Sequence, residues 1–337
     1  MDERAALPDA VLARYDLGEI HAVTPKSGGW MSACFVVTCQ RGRYFFKRRP
    51  SGCTPAMVAC DHDLIRFLVD HAFPTPAVLP ARDGHTWVEW KGQIHEAYAY
   101  VAGKGFAPGD CRQMSSLGRT VARYHRLVAG YRPPQLKLPP WGDASAAAFL
   151  DLSGYVTTRL EALRARDRIG ETEARFVHRM TRQLQEQAEV ARGERELISL
   201  TVHGALEPGN VLFGPQGEVV AWVDWADSGQ FVRAYDVAHA LLKFGGRRPD
   251  AVLPGQVGPM LPRSSVEAFA AAYRQEIRLT VAESALLPWL MLACRVVDAL
   301  WVDGFDPPID YRRELHLAQE LYAWLMANAA FLQEAFC

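Results

Sequence analysis

The sequence has almost no excess charge, with Lys+Arg 37 set against Asp+Glu 38 for a formal net charge of −1. That balance supplies no general attraction for nucleic acid or for an anionic membrane, so neither is an expected partner, although a local basic patch is compatible with it. No apolar run approaches the roughly 20 residues that cross a bilayer. The acidic opening Met1-Asp2-Glu3-Arg4 does not read as a secretory signal, and the expected location is the cytoplasm. Paired cysteines are missing too. The seven cysteines, among them Cys34 and Cys39, show no Cys-x-x-Cys spacing and read as free structural thiols. Internal repeats of roughly 20–50 residues and low-complexity segments are absent, which argues against a solenoid.

What is present is apolar substance: 337 residues, 49% of them hydrophobic, can bury two sizeable cores. A short helix is predicted over 7–15. Strands at 19–24, 30–39 and 43–48, with turns at Ser27-Gly28-Gly29 and Gln40-Arg41-Gly42, predict an antiparallel meander. The Gly28-Gly29 turn is either a simple hairpin or a place where backbone N–H groups approach phosphates closely. Lys47 ends the aromatic strand Tyr44-Phe45-Phe46, as a solvated edge lysine or as a phosphate-gripping cation. Helical spacing of Met57, Leu64, Ile65, Phe67 and Leu68 predicts a helix over 55–71 before Pro74-Thr75-Pro76. Strands 86–90 and 94–101 follow, the second running into Gly103. Beyond Gly105 the chain reads helical: 114–128, a proline-rich loop over 131–141, two charged helices within 149–198 broken near Ile169-Gly170, then helices at 265–279, 283–301 and 312–334.

The chemistry is concentrated in 201–236. This stretch reads His203-Gly204-Ala205-Leu206-Glu207-Pro208-Gly209-Asn210, then Trp222-Val223-Asp224-Trp225, then Tyr235-Asp236. Taken singly, Asn210 could be a turn residue and Asp224 a strand-end cap. Taken together with Lys47, they resemble the catalytic segment of the aminoglycoside phosphotransferase and choline kinase superfamily, nearest its homoserine-kinase-like and spore-coat-kinase-like branch. The resemblance covers most of 19–128 and 200–245.

It implies an α+β, bilobal, protein-kinase-like fold: an antiparallel five-stranded N-lobe over 1–101 and a mainly helical C-lobe over 102–337, with the catalytic loop in 200–236 and ATP and Mg2+ in the cleft. It also implies site residues. Gly28 and Gly29 would approach the phosphates and Lys47 would grip them, oriented by an acid of the 55–71 helix, at Asp61 with Asp63 as the next candidate. Backbone groups of Ala97, Tyr98, Ala99 and Tyr100, as far as Val101, would meet the adenine edge, with Leu212 and Val223 flanking the ring. Asn210 and Asp224 would hold the metal, Asp236 would brace the catalytic loop, and His125 would pack beneath that loop.

The departure from the family's His-Gly-Asp pattern is Ala205. The missing carboxylate orients the acceptor hydroxyl and takes its proton, and losing a general base costs about 10²–10⁴-fold in rate. Three readings are open: an engineered Asp-to-Ala change, which is preferred; a natural pseudokinase that binds nucleotide or a partner; or catalysis rewired through Glu207, Asp227 or the substrate. The parent activity implied is ATP-dependent phosphorylation of a hydroxyl on a small molecule or on a peptide Ser or Thr. One further stretch, Asp298-Ala299-Leu300-Trp301-Val302-Asp303 with Asp306 and Asp310, is either a cation-holding surface or an ordinary helix end.

Overall fold

A computed structural model describes residues 6–26, 32–245, 261–300 and 310–337. The elements run, in chain order, α1 (Asp9–Leu12), β1 (Ile20–Lys26), β2 (Ala33–Cys39), β3 (Gly42–Arg48), α2 (Pro55–Asp70), β4 (Val88–Trp90), β5 (Gln93–Ala99), α3 (Cys111–Val128), α4 (Ala146–Leu150), α5 (Ser153–Ala165), α6 (Glu171–Gly193), β6 (Ser199–Val202), β7 (Val211–Phe213), β8 (Val219–Trp222), β9 (Gly229–Val232), α7 (Ala234–Gly245), α8 (Arg263–Arg274), α9 (Val281–Leu300) and α10 (Tyr311–Phe336). They form two compact units. The first comprises Met1–Gly105, Tyr131–Lys137 and Gly209–Ala226; the second comprises Phe106–Gly130, Leu138–Pro208 and Asp227–Cys337. The sequence places 131–137 and 209–226 in the later lobe, but both segments belong to the first unit.

In the first unit an antiparallel sheet has strand order β1-β2-β3-β5-β4. Alternate residues of a strand face opposite sides. One face sends Phe35, Val37, Cys39, Phe46 and Ala97 into a core closed by Val11, Leu12 and Tyr15. The opposite face therefore receives Lys47, which the register places between Cys34 of β2 and Glu96 of β5. Helix α2 starts where the Thr54 side chain accepts the Met57 N–H at 3.3 Å, with Pro55 at its first position. Its buried stripe, Val58, Asp61, His62, Ile65 and Leu68, carries two ionisable side chains among apolar ones. The β7–β8 hairpin completes the unit. Its Phe213 exchanges two backbone hydrogen bonds with Lys104, at 2.7 and 2.8 Å. Gly103 allows that approach, because a Cβ there would lie 2.7 Å from Leu212 Cβ.

In the second unit α7 is buried along its whole length, β6 pairs with β9, and the buried ion pairs Arg233–Glu283 and Arg295–Glu314 tie its segments together. The charged stretch expected to form two helices within 149–198 forms α5 and α6, separated around Ile169-Gly170. A further short helix, α4, begins earlier, capped by the Ser145 hydroxyl, which accepts the Ala148 N–H at 3.2 Å. Strands β6 and β9 were not expected. At four residues each they are too short for a period-2 pattern to stand out.

Candidate active site

Lys47 is nearly buried, and its ammonium donates to Asp224 Oδ1 at 2.6 Å while the Asp224 side chain keeps 43% exposure. Strand β8 delivers Asp224 and a left-handed backbone turns it outward: its φ is +65°, a region that costs a non-glycine residue roughly 1–2 kcal/mol. Across the mouth of the hairpin the Val223 N–H donates to the Asn210 carbonyl at 2.9 Å, so Asn210 and Asp224 are held at one end of β7 and β8. Three of the residues proposed from sequence, Lys47, Asn210 and Asp224, are thus organised within one unit.

The donors fit magnesium. An amide and a carboxylate supply hard oxygens, and Mg2+ is ordinarily bound by one or two carboxylates plus phosphates and water rather than by an all-protein cage. Among the described residues no group of three or more His, Cys, Asp or Glu side chains is placed to hold a metal. Asn210 and Asp224 would hold the ion; when bound, it would neutralise charge on the phosphates.

The expected partner of Lys47 needs correction. Asp61 lies on the buried stripe of α2, but its carboxylate meets Arg49 Nη2 at 2.9 Å and the Lys137 ammonium, while Lys47 is bound to Asp224. The Arg49 contact is an ion pair by distance without a well-directed hydrogen bond. Asp63 accepts a hydrogen bond from the Tyr131 hydroxyl at 2.8 Å and pairs with Arg66, so it is turned elsewhere as well. Glu96, which no sequence motif marks, accepts from Arg49 Nε at 2.8 Å and pairs with His62 Nε2 at 3.1 Å. Burial pushes the Glu96 carboxyl up, but the His62 hydrogen bond and the charges of Arg49 and Lys47 outweigh it and hold the group below its ordinary range. At Asp61 burial prevails over Lys137 and Arg49, and the pKa is raised.

The stretch expected to meet adenine is partly committed to the protein's own backbone. The Ala97 carbonyl accepts from Leu79, the Ala99 N–H donates to Ala77, and the Tyr100 N–H donates to Arg43. Tyr98 forms a bridge with Val78 and lies opposite Phe45 of β3. Leu212 is half-buried beside Gly103, and Val223 is half-buried beside Asn210. Gly28 and Gly29 lie outside the described residues.

The second unit carries the loop with Ala205. Asp236, at the start of α7 and fully buried, accepts the N–H groups of His203 at 2.9 Å and Gly204 at 3.1 Å. Gly204 has φ +84°, and a Cβ on it would lie 2.2 Å from the Asp227 carbonyl oxygen, so only glycine fits. The Ala205 N–H donates to His203 Nδ1 at 3.3 Å, and His239 Nδ1 lies 3.0 Å from the Leu206 carbonyl. Burial foremost, with the Lys243 charge adding to it, pushes the His239 pKa down to about 4. The neutral ring therefore donates its Nδ1 hydrogen to that carbonyl. His125 Nε2 is 3.6 Å from Asp236, and its Nδ1 is 3.0 Å from the Tyr273 hydroxyl. Ala205 thus stands on a loop fixed on both sides of it. Of the acidic stretch near the end of α9, Asp298 pairs with Lys243 at 2.6 Å and Asp310 caps α10, accepting from Arg313 at 3.2 Å; Trp301, Asp303 and Asp306 lie outside the described residues.

Residues 22–276 match the phosphotransferase enzyme family, more than half of the chain. The chain belongs to that family. A homoserine kinase of Caulobacter sp. (strain K31) is 24% identical over 236 residues, covering 69% of this chain and 68% of the relative. An amicoumacin kinase solved with AMP-PNP, Ca2+ and Ami superposes with a TM-score of 0.67 at 18% identity, covering 94% of this chain and 96% of that one. A microcompartment-associated aminopropanol kinase gives 0.63 at 17%, covering 96% and 97%. An aminoglycoside phosphotransferase from Alicyclobacillus acidocaldarius subsp. acidocaldarius DSM 446 gives 0.64 at 19%, covering 98% and 97%. The fold is α+β and protein-kinase-like, as the phosphotransferase resemblance implies. Among the described residues no helix is long and apolar enough to cross a membrane.

Proposed function

We propose that this phosphotransferase-family chain binds ATP with Mg2+ and is built for phosphoryl transfer to a hydroxyl of a small molecule, with its own turnover limited by Ala205. Lys47 grips the phosphates, and Asn210 and Asp224 hold the metal. The observation that carries the reading is the 2.6 Å contact of Lys47 with Asp224, joined to the Asn210–Val223 backbone bond. It supplies a phosphate cation and a metal carboxylate side by side, and phosphoryl transfer asks a protein chiefly for positioning and charge stabilisation. Ala97 to Val101 supply the adenine contact, with Leu212 and Val223 against the ring. The printed names of the relatives, which include kinases of homoserine, aminopropanol and amicoumacin, support a small-molecule acceptor over a peptide.

A second reading, nucleotide binding without transfer, is favoured by one observation. Position 205 is Ala on a loop that Asp236, His203 and His239 otherwise hold in full. Ala205→Asp separates the two. With ATP, Mg2+ and a set of amino alcohols and hydroxy amino acids, the Asp variant is expected to exceed the parent by about 10²–10⁴-fold in phosphate transfer. Silence of that variant across the set, with nucleotide binding intact, rejects the enzyme reading in favour of the binding one.

A further inference from the structure

We propose that Lys137 is a positioning residue for Asp224: its ammonium fixes the turn that follows the metal ligand and ties that turn to Asp61 of α2. The inference rests on the proposed function only in taking Asp224 as a metal ligand. Lys137 Nζ donates to the Ala226 carbonyl at 2.6 Å, lies 3.4 Å from the Trp225 carbonyl, and pairs with the Asp61 carboxylate. The Lys137 side chain is only 17% exposed and Asp61 is 1% exposed, whereas the neighbours Leu136 and Leu138 are 62% and 42% exposed. An exposed strap would ordinarily put leucine inward and lysine outward, because burying an ammonium is costly without partners. The reversal places Lys137 for its charge.

The turn it grips needs such an anchor. Asp224 holds a left-handed φ of +65°, and the chain must bend at once into the short 3-10 turn Trp225–Asp227. On another side the Trp225 indole N–H donates to Thr75 Oγ1 at 3.0 Å, and the Thr75 hydroxyl donates to the Trp222 carbonyl at 3.0 Å. Those are neutral bonds, whereas Lys137 adds a cation that polarises two successive carbonyls and is itself compensated by Asp61. The helix acid expected to steer Lys47 is used here to steer Lys137, so α2 acts on the metal side of the site through a loop cation rather than through the phosphate lysine. Supporting groups of this kind orient a ligand without touching the metal.

The test compares the parent with Lys137→Met, Lys137→Arg and Asp61→Asn in the full chain, using the non-hydrolysable analogue AMP-PNP with and without Mg2+, and amide exchange at residues 225–227. Lys137→Met is expected to weaken Mg2+-dependent nucleotide affinity by about 10–100-fold while metal-free affinity stays within about twofold. Exchange at 225–227 should rise. Lys137→Arg should recover most of both losses, and Asp61→Asn should show a smaller loss of the same kind. Equal weakening with and without Mg2+, or unchanged affinity and exchange, would overturn the proposal. If Lys137→Met does not fold, the Arg and Asn variants carry the same comparison. If Mg2+ adds nothing to the parent's affinity, the proposed function falls; exchange then decides the anchor separately, and protection that ignores Lys137 rejects it.

Discussion

Replacing Asp236 with Ala removes the group that holds the Ala205 loop from below. The carboxylate is fully buried and accepts two backbone donors, His203 N–H at 2.9 Å and Gly204 N–H at 3.1 Å. Each buried donor left unsatisfied costs about 1–3 kcal/mol, so Asp236→Ala should cost about 2–6 kcal/mol in total. Asp236→Asn keeps one acceptor oxygen and should cost about half of that, ~1–3 kcal/mol, because one donor is still left facing an NH2 group. Native-state hydrogen exchange at the His203 and Gly204 amides reads the local effect, and the urea midpoint reads the global one. The order parent, Asn, Ala should appear in both. An Ala variant within about 0.5 kcal/mol of the parent, the range of an ordinary surface substitution, would refute the bracing argument.

Two other consequences concern charge. Arg49→Met leaves Glu96 with His62 alone and Glu96→Leu leaves Arg49 with Asp61 alone, so each should destabilise by somewhat less than the about 3–5 kcal/mol of a bare buried charge, whereas the double variant should lose less than the sum; additive losses in denaturant titrations would mean the pair is not coupled as its 2.8 Å contact implies. Stability should also fall with acid. His95 and His239 are both pushed down to about 4, by burial foremost, with Arg48 and Lys243 respectively adding to it. The unfolded chain, with histidine near about 6.5, binds more protons than the folded one between the two values. Stability is therefore present above about pH 6.5 and lost as pH falls toward about 4, by ~3 kcal/mol from His239 alone. A thermal midpoint flat across that window in the parent, or one no flatter in His239→Gln, would contradict the assignment.

The contiguous parts of the candidate site were legible through the resemblance of 201–236 to the phosphotransferase segment, since Asn210, Asp224 and Lys47 each have an ordinary structural reading when taken singly. Asn210 and Asp224 lie in one motif with a short apolar strand between them, and Lys47 closes an aromatic strand whose alternation sends Phe46 to the core and Lys47 to the other face. Alternation and turn signals announced the separate strands, and the resemblance implied their assembly into a five-stranded sheet. What the sequence could not place was the pairing of buried charges. Glu96 and Lys47 share a face only through the β3–β5 register, and Lys137 reaches Asp61 from 76 residues away, out of a loop whose prolines announce only that it is not helical. Asp61 does lie on the helix face that meets buried cations, but nothing in the spacing distinguishes Lys47 from Arg49 or Lys137 as its partner. The close approach of Gly103 to Leu212 was hidden in the same way, being a contact between segments rather than a pattern within one.

The proposal for Lys47, Asn210 and Asp224 is a metal–nucleotide site that binds with alanine at position 205. It is tested most directly by calorimetric titration of the parent with AMP-PNP, with and without Mg2+, beside Asp224→Ala and Lys47→Ala. Expected are Mg2+-dependent binding in the parent, a thermal stabilisation of about 2.7 kcal/mol at a hundredfold excess of ligand over Kd, and loss of the Mg2+ dependence in Asp224→Ala, with Lys47→Ala weak in both conditions. Binding that is absent in the parent, or indifferent to Mg2+ and to both substitutions, would contradict it.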